Sequence, residues 1–201
     1  SAAVGNDTAA ALARAFFEDT WETVSAVPWI RPIIATTEAL PASGGPEVWL
    51  QGEGDLGVRL ETILRRALRS SAFAVALGAD SPGLHVRLLE SARHALTTSD
   101  AVLGPCRDGG FYLIGLKQCP EGLLAGIPWS QPTTFSRTLG RLRQAGLKVG
   151  VLDWWFDVDT PADLARLKSL ISSKSICAPR TAEVLAQLAE GKHRAAVGER
   201  L

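Results

Sequence analysis

Short runs of consecutive apolar residues alternate along this chain with longer segments in which apolar residues recur every three or four positions. The runs predict strands, and the periodic segments predict amphipathic helices. The predicted strands are residues 30–37, 48–51, 73–77, 101–103, 111–116 and 148–155. The predicted helices are an opening one that Asn6 or Asp7 can cap and Pro28 ends, then 56–67, 84–95, 133–144, 161–171 and 181–191. This alternation predicts an α/β fold with a mostly parallel sheet.

The apolar run at 73–77 is the expected centre of the chemistry. Five consecutive apolar residues are typical of a strand buried on both faces, as in a parallel sheet. The run ends at Gly78, and Asp80 follows two residues later. Ligands of open α/β sheets bind beyond the carboxyl ends of the strands, so Asp80 is a candidate functional residue. A carboxylate at this position can also serve only to cap a helix or a turn.

A second acidic turn follows the strand at 148–155. Thr160 as N-cap, Pro161 at the first helical position and Asp163 as the capping-box acid predict a helix start, which gives Asp163 a structural role. Asp157 and Asp159 are not explained by this cap. Their spacing allows one side chain to point inward and the other away.

Asp80 and Asp159 together suit a divalent cation. Mg²⁺ takes a few carboxylates, substrate phosphate oxygens and water as ligands. We therefore predict that Asp80 and Asp159 lie close enough to share one Mg²⁺ or Mn²⁺ ion, which would offset the charge on a departing phosphate. No motif predicts a serine or cysteine nucleophile with its base.

A glycine-rich stretch precedes the predicted helix at 56–67. Gly52, Gly54 and Gly57 let the backbone approach a flat or phosphorylated ligand closely. The spacing is a weak signal by itself, because a plain strand-to-helix turn capped by Asp55 explains it without a ligand.

Composition excludes several classes of protein. The 201 residues carry 21 Lys plus Arg and 21 Asp plus Glu, so no charge excess points to nucleic acid or to an anionic membrane. Cys106, Cys119 and Cys177 are an odd number without metal-ligand spacing, which favours reduced thiols and a cytoplasmic location. No apolar run is long enough for a membrane span, and the expectation is a soluble protein. A homo-oligomer is left open.

Five motifs follow one another in an order that carries a resemblance. They are QGEGDLG at 51–57, GADSP at 78–82, GP with DGGFYLIG at 104–115, WS at 129–130, and DVDTP with DL at 157–164. Over residues 1–171 the chain resembles a bacterial family of proposed glycosyltransferases with the GT-A, or nucleotide-diphospho-sugar transferase, fold. That family is similar in turn to the phospholactate and molybdenum-cofactor guanylyltransferases. The resemblance implies a GT-A-like three-layer sandwich for residues 1–171. The change in composition at residues 172–175 predicts a linker, so residues 172–201 are expected to be a linker and a short C-terminal helix.

The resemblance also implies roles for individual residues. Asp80 would be the metal-binding acid of the short sugar-transferase motif, and Asp159 the second metal ligand; Asp80 and Asp108 are the candidate catalytic residues. The resemblance implies that the nucleobase is contacted by Gln51, Gly54, Leu56 and Gly57. It implies that the sugar or acceptor is contacted by Asp108, Gly109, Gly110 and Trp129. A core role for Trp129 is an equal alternative. If the loop at Gly110 needs positive φ or close backbone approach, a side chain there should harm binding more than stability.

One departure from the family pattern concerns the first strand. Members of the superfamily begin with a central strand and a basic, glycine-containing phosphate loop, whereas this chain begins with what resembles the next helix. We therefore expect the strand at 73–77 to lack one neighbour within this chain. We also expect the chain to bind nucleoside diphosphates weakly.

The leading functional prediction is a metal-dependent transferase that uses a nucleotide-activated donor, specifically a glycosyltransferase with an unknown acceptor. The alternatives are a nucleotidyltransferase that releases pyrophosphate, because the same fold and metal site serve both reactions, and a non-catalytic nucleotide or sugar sensor.

Overall fold

The computed structural model of the chain describes residues 6–39 and 45–198. Every predicted helix and strand has a counterpart there. In chain order these are α1 (Asn6–Ser25), β1 (Ile34–Thr36), β2 (Val48–Leu50), α2 (Leu56–Leu68), β3 (Ala74–Leu77), α3 (Val86–Thr98), β4 (Ala101–Pro105), β5 (Phe111–Leu116), α4 (Thr134–Gln144), β6 (Val149–Val151), α5 (Pro161–Ser172) and α6 (Pro179–Gly198). The last helix is longer than predicted, with 20 residues. No helix in the described ranges is both long and apolar enough to cross a membrane.

The elements fall into two compact units. The helical unit takes its described residues from 1–28, 79–85 and 157–201, and contains α1, α5 and α6. The sheet unit takes its described residues from 29–78 and 86–156, and contains the six strands with α2, α3 and α4.

The sheet unit confirms the predicted α/β fold. Its four-stranded sheet has the order β3-β5-β4-β6. β4 pairs in parallel with β6, whereas β5 runs antiparallel to both β3 and β4. Three of the four strands therefore run in one direction, as a mostly parallel sheet requires. β1 and β2 form a separate parallel pair.

Strand β3 differs in part from its prediction. Its only hydrogen-bonded neighbour within residues 6–39 and 45–198 is β5, so the expectation of a single neighbour is confirmed. The expected parallel environment is wrong, because that neighbour runs antiparallel. Ala74 is buried, but the other three residues of β3 are only half-buried. An apolar run predicts burial of side chains, but it contains no information on which strand pairs with it.

Helices cover both faces of the four-stranded sheet within the sheet unit. One face packs with α2 and α4 through buried apolar side chains, which include Leu64, Leu103, Ile114, Leu116 and Leu142. On the other face, a Cβ at Gly115 would lie 2.7 Å from Val102 and 3.3 Å from Leu96 of α3. The absence of a side chain at Gly115 therefore lets α3 pack close to the sheet.

The predicted strand at 148–155 is shorter in the structure, where β6 ends at Val151. Beyond it, the backbone N–H of Leu152 donates to Leu103 (2.9 Å) and that of Trp155 donates to Pro105 (3.1 Å). The segment after β6 therefore stays attached to the end of β4 through separate hydrogen bonds, with one isolated bridge between Cys106 and Trp155.

In the helical unit, a carboxylate of α1 caps the beginning of α6. Asp19 is 3% exposed, and it accepts hydrogen bonds from the backbone N–H groups of Arg180 and Thr181, both at 2.9 Å. The hydroxyl of Thr181 donates a third, at 2.6 Å. The first N–H groups of a helix have no partner inside it, so this distant carboxylate supplies what a local cap usually supplies.

We expect Asp19→Ala to lower the free energy of unfolding by about 2–4 kcal/mol, because it leaves buried donors at the start of α6 without an acceptor. Glu18→Ala is the matched control. It removes only the ion pair with Arg14 on the surface of α1, which is worth less than about 1 kcal/mol. Urea unfolding followed by circular dichroism measures both, and equal losses would contradict the capping role of Asp19.

Candidate functional site

Asp80 lies in the loop of residues 79–85 of the helical unit, with its side chain exposed. Its backbone carbonyl accepts a hydrogen bond from the N–H of Val158 (3.1 Å). A little further along the loop, Gly83 has a φ of 70°. A Cβ at Gly83 would lie 2.8 Å from the side chain of Ile176. The loop is therefore hydrogen-bonded at Asp80 to the segment that carries Asp159, and its backbone packs closely on Ile176 at Gly83.

Asp159 immediately precedes the N-cap of α5. The predicted capping box is confirmed: the Thr160 hydroxyl accepts from the Asp163 N–H (3.2 Å), and the Asp163 carboxylate accepts from the Thr160 N–H (2.9 Å). Pro161 is the first residue of the helix. The cap thus orders the backbone next to Asp159 while using the carboxylate of Asp163.

Asp80 and Asp159 line the same cavity, which has a volume of about 350 Å³. Thr160, whose hydroxyl belongs to the cap of α5, also lines it. Helix α1 forms an apolar wall with Ala9, Leu12, Ala13 and Phe16. The apolar periodicity of this segment predicts an amphipathic helix, and nothing in the sequence indicates that its apolar face borders a cavity.

The described residues of this lining are acidic, hydroxyl-bearing or apolar, and none is basic. Hard divalent cations prefer such oxygen ligands, so these residues fit Mg²⁺ or Mn²⁺. That the two carboxylates hold one ion remains a prediction.

The other predicted site residues belong to the sheet unit. Asp108 is exposed in the turn between β4 and β5, where one of its carboxylate oxygens accepts from the N–H of Gly110 (2.9 Å). The N–H of Cys106 donates to the carbonyl of Gly110 (3.0 Å). Asp108 therefore stabilises its own turn and presents a carboxylate at the surface.

The conformational requirement in this turn falls on Gly109 and not on Gly110. Gly109 has a φ of 92°, and a Cβ there would lie 2.0 Å from the carbonyl oxygen of Pro132. At Gly110 the nearest neighbour of a Cβ would be the carboxylate of Asp108, at 3.2 Å. Two adjacent glycines look alike in the sequence, and only the backbone path distinguishes them.

The glycine-rich stretch before α2 forms a turn that is fixed by hydrogen bonds at both ends. Gln51 donates its side-chain amide to the carbonyl of Ala35 (3.1 Å). Gly54 has a φ of 109°, and Asp55 caps the helix by accepting from the N–H of Val58 (3.0 Å). Leu56 is 45% exposed at the first position of α2. Contacts of these residues with a nucleobase remain a prediction.

Gly57 and Trp129 come together in the structure. A Cβ at Gly57 would lie 2.3 Å from the carbonyl oxygen of Leu124 and 3.0 Å from the indole nitrogen of Trp129. The Trp129 ring is half-buried against the core and meets Phe111 edge-on, with centroids 5.9 Å apart. These contacts give both residues a packing role, and a role of Trp129 in an acceptor pocket remains a prediction.

The three cysteines differ in burial and form no disulfide. Cys106 is 1% exposed. Burial, together with the nearby carboxylate of Glu61, raises the pKa of the Cys119 thiol to about 11. Cys119 is therefore protonated at neutral pH, where a thiol is a poor nucleophile.

Comparisons with known proteins agree with this fold. Residues 11–131 match the model of a family described as "Uncharacterized protein conserved in bacteria (DUF2064)". The structure is similar to the crystal structure of a "putative nucleotide-diphospho-sugar transferase" from Desulfovibrio desulfuricans G20, with a TM-score of 0.78 and 29% sequence identity. The similarity covers 92% of this chain and 84% of that one. No curated protein sequence matches the chain.

Proposed function

The chain belongs to the bacterial family DUF2064, because the family model matches more than half of the chain. From this premise we propose that the protein is a metal-dependent transferase. Its donor is a nucleotide-activated substrate, and the reaction moves a sugar from a nucleotide-diphospho-sugar to an acceptor. The similar protein from Desulfovibrio desulfuricans is described as a nucleotide-diphospho-sugar transferase, which favours this proposal.

The observation that carries the proposal is the pairing of Asp80 with Asp159 at one cavity. The two residues are far apart in the sequence and reach the cavity from two separate loops. Carboxylates in such a pair attract a divalent cation, whereas by themselves they repel a diphosphate. The cavity therefore suits a nucleotide-diphospho-sugar whose diphosphate is bound to a metal ion.

The residues of the chain then have distinct roles. Asp80 and Asp159 hold the ion, which when bound supplies positive charge against the charge that develops on the departing diphosphate. The apolar wall of α1 excludes water from one side of the cavity, which strengthens the attraction between the carboxylates and a cation. The capped start of α5 keeps Asp159 in place before the ion binds.

A product analysis tests the proposal and separates it from a nucleotidyltransferase. The native protein is incubated with Mg²⁺ or Mn²⁺ in two separate reactions, one with nucleotide-diphospho-sugars and methyl pyranosides as acceptors, the other with nucleoside triphosphates and sugar phosphates. The products of both are separated by anion-exchange chromatography. Sugar transfer releases a nucleoside diphosphate, while nucleotidyl transfer from a nucleoside triphosphate to a sugar phosphate releases pyrophosphate. We expect the nucleoside diphosphate, and we expect a chelator to abolish its release.

Calorimetry with the same compounds measures binding independently of turnover. Metal-dependent binding of nucleotide sugars without either product would identify a sensor. Absence of any metal-dependent binding would contradict the proposed function.

A further inference from the structure

Trp154 is the most exposed large apolar side chain in the described ranges, at 59%. It follows β6 in the sheet unit, close in sequence to Val151, which is 49% exposed. Exposed apolar surface costs solubility, and where it is concentrated it commonly marks a binding surface. The sequence pattern placed Trp154 inside a strand and assigned it no role.

The backbone on both sides of Trp154 is anchored. The carbonyl of Asp153 accepts a hydrogen bond from the hydroxyl of Tyr112 (3.1 Å), and the N–H of Trp155 donates to the carbonyl of Pro105 (3.1 Å). Tyr112 is 2% exposed, and burial raises the pKa of its phenol far above the ordinary value, so the hydroxyl stays a donor. An exposed indole on an anchored backbone loses little conformational freedom when a ligand stacks on it.

One side of the indole is also held by an aromatic neighbour. The rings of Trp154 and Phe135 have centroids 6.4 Å apart at an angle of 41°. The N–H of Phe135 donates to the carbonyl of Gly109 (2.7 Å). The aromatic pair therefore borders the turn that contains Asp108, and it leaves most of the indole surface to solvent.

We propose that Trp154 is a stacking platform for an uncharged pyranose ring, the carbohydrate acceptor of the reaction. The apolar C–H face of a pyranose packs on an indole, while its hydroxyl groups donate to a carboxylate such as that of Asp108. Asp108 and Asp153 are both exposed in the segments that border Phe135 and Trp154. Their carboxylates can accept hydrogen bonds from the hydroxyl groups of an uncharged sugar, whereas they repel a diphosphate. The role of this pyranose as the acceptor rests on the proposed function, whereas its binding to Trp154 does not.

Saturation-transfer difference NMR with methyl pyranosides of glucose, mannose, galactose and N-acetylglucosamine tests the platform directly. The pyranoside samples contain neither metal nor nucleotide, and a nucleoside monophosphate is measured in a separate sample without metal. A failure of the proposed function therefore leaves the result readable, and the reverse also holds. We expect saturation transfer to the ring C–H protons of at least one pyranoside. Trp154→Ala should weaken its binding about 10-fold, and Trp154→Phe should keep most of it, because a flat ring is retained.

Val86→Ala is the matched control, since Val86 is exposed in the same unit at the beginning of α3. It should leave binding unchanged. Retention in Trp154→Phe with loss in Trp154→Ala identifies ring stacking even if the alanine variant is less stable. Three outcomes would overturn the platform: unchanged binding in Trp154→Ala, equal loss in Val86→Ala, or Trp154-dependent transfer to the base of a nucleoside monophosphate with none to any pyranoside.

Discussion

Asp80→Asn is expected to weaken the binding of Mn²⁺ on the order of 100-fold, because it removes the charge of one of the two carboxylates at the cavity of the helical unit. Mn²⁺ alone is the probe, and electron paramagnetic resonance measures the free ion during a titration. Nucleotide affinity does not enter this measurement.

The control for charge is Glu183→Gln. Glu183 is exposed on α6 in the same unit, and its replacement changes the net charge of the protein by the same amount. We expect this variant to bind Mn²⁺ as the wild type does. An equal loss in both variants would mean that a general field effect, and not coordination by Asp80, is measured.

Asp159→Asn extends this test to the question of a shared ion. If the two carboxylates hold the same ion, each single variant loses most of the affinity, and the double variant loses little more. If they hold separate ions or none, the losses add or are absent. Either result decides whether Asp80 and Asp159 act together.

Gly109→Ala is expected to lower the free energy of unfolding by about 3–5 kcal/mol. A side chain there adopts a strained φ of 92° and also meets the carbonyl oxygen of Pro132, which belongs to the backbone and cannot turn aside. The loss arises because the turn between β4 and β5 and the segment before α4 cannot both keep their positions. Urea unfolding measures it.

Gly110→Ala is the neighbouring control, with an expected loss below about 1 kcal/mol. The nearest neighbour of its Cβ would be the carboxylate of Asp108, at 3.2 Å, and that side chain can turn aside. Equal losses at the two positions would show that the turn is sensitive to any side chain. A larger loss at Gly110 would contradict the described backbone path.

The sequence predicts most of the local structure because its signals are local. Apolar periodicity and the capping residues Asp55 and Thr160 mark elements whose ends depend on nearby side chains and backbone groups. The first turn of α6 is an instructive miss, since its capping carboxylate is Asp19 on α1. A cap from a distant part of the chain leaves no local signal in the sequence. The predicted first residue of α6, 181, is therefore two residues after the observed one, Pro179.

For the candidate site, the sequence was sufficient to select Asp80 and Asp159, because each carboxylate lies near the end of a predicted strand. It could not show that one cavity joins them, nor that α1 forms the apolar wall of that cavity. A cavity is a property of how elements pack, and packing involves residues that are distant in the chain.

By itself, then, the sequence determined the α/β class, the order of helices and strands, and the carboxylates available to a cation. Tertiary structure alone decided that β3 pairs antiparallel with β5, that Gly109 carries the backbone constraint, and that Trp154 stands exposed on an anchored segment. The physical reason is the same in the three cases. Each depends on a neighbour that comes from elsewhere in the chain (β5, Pro132 or Tyr112), and the pattern of residues around each position carries no record of that neighbour.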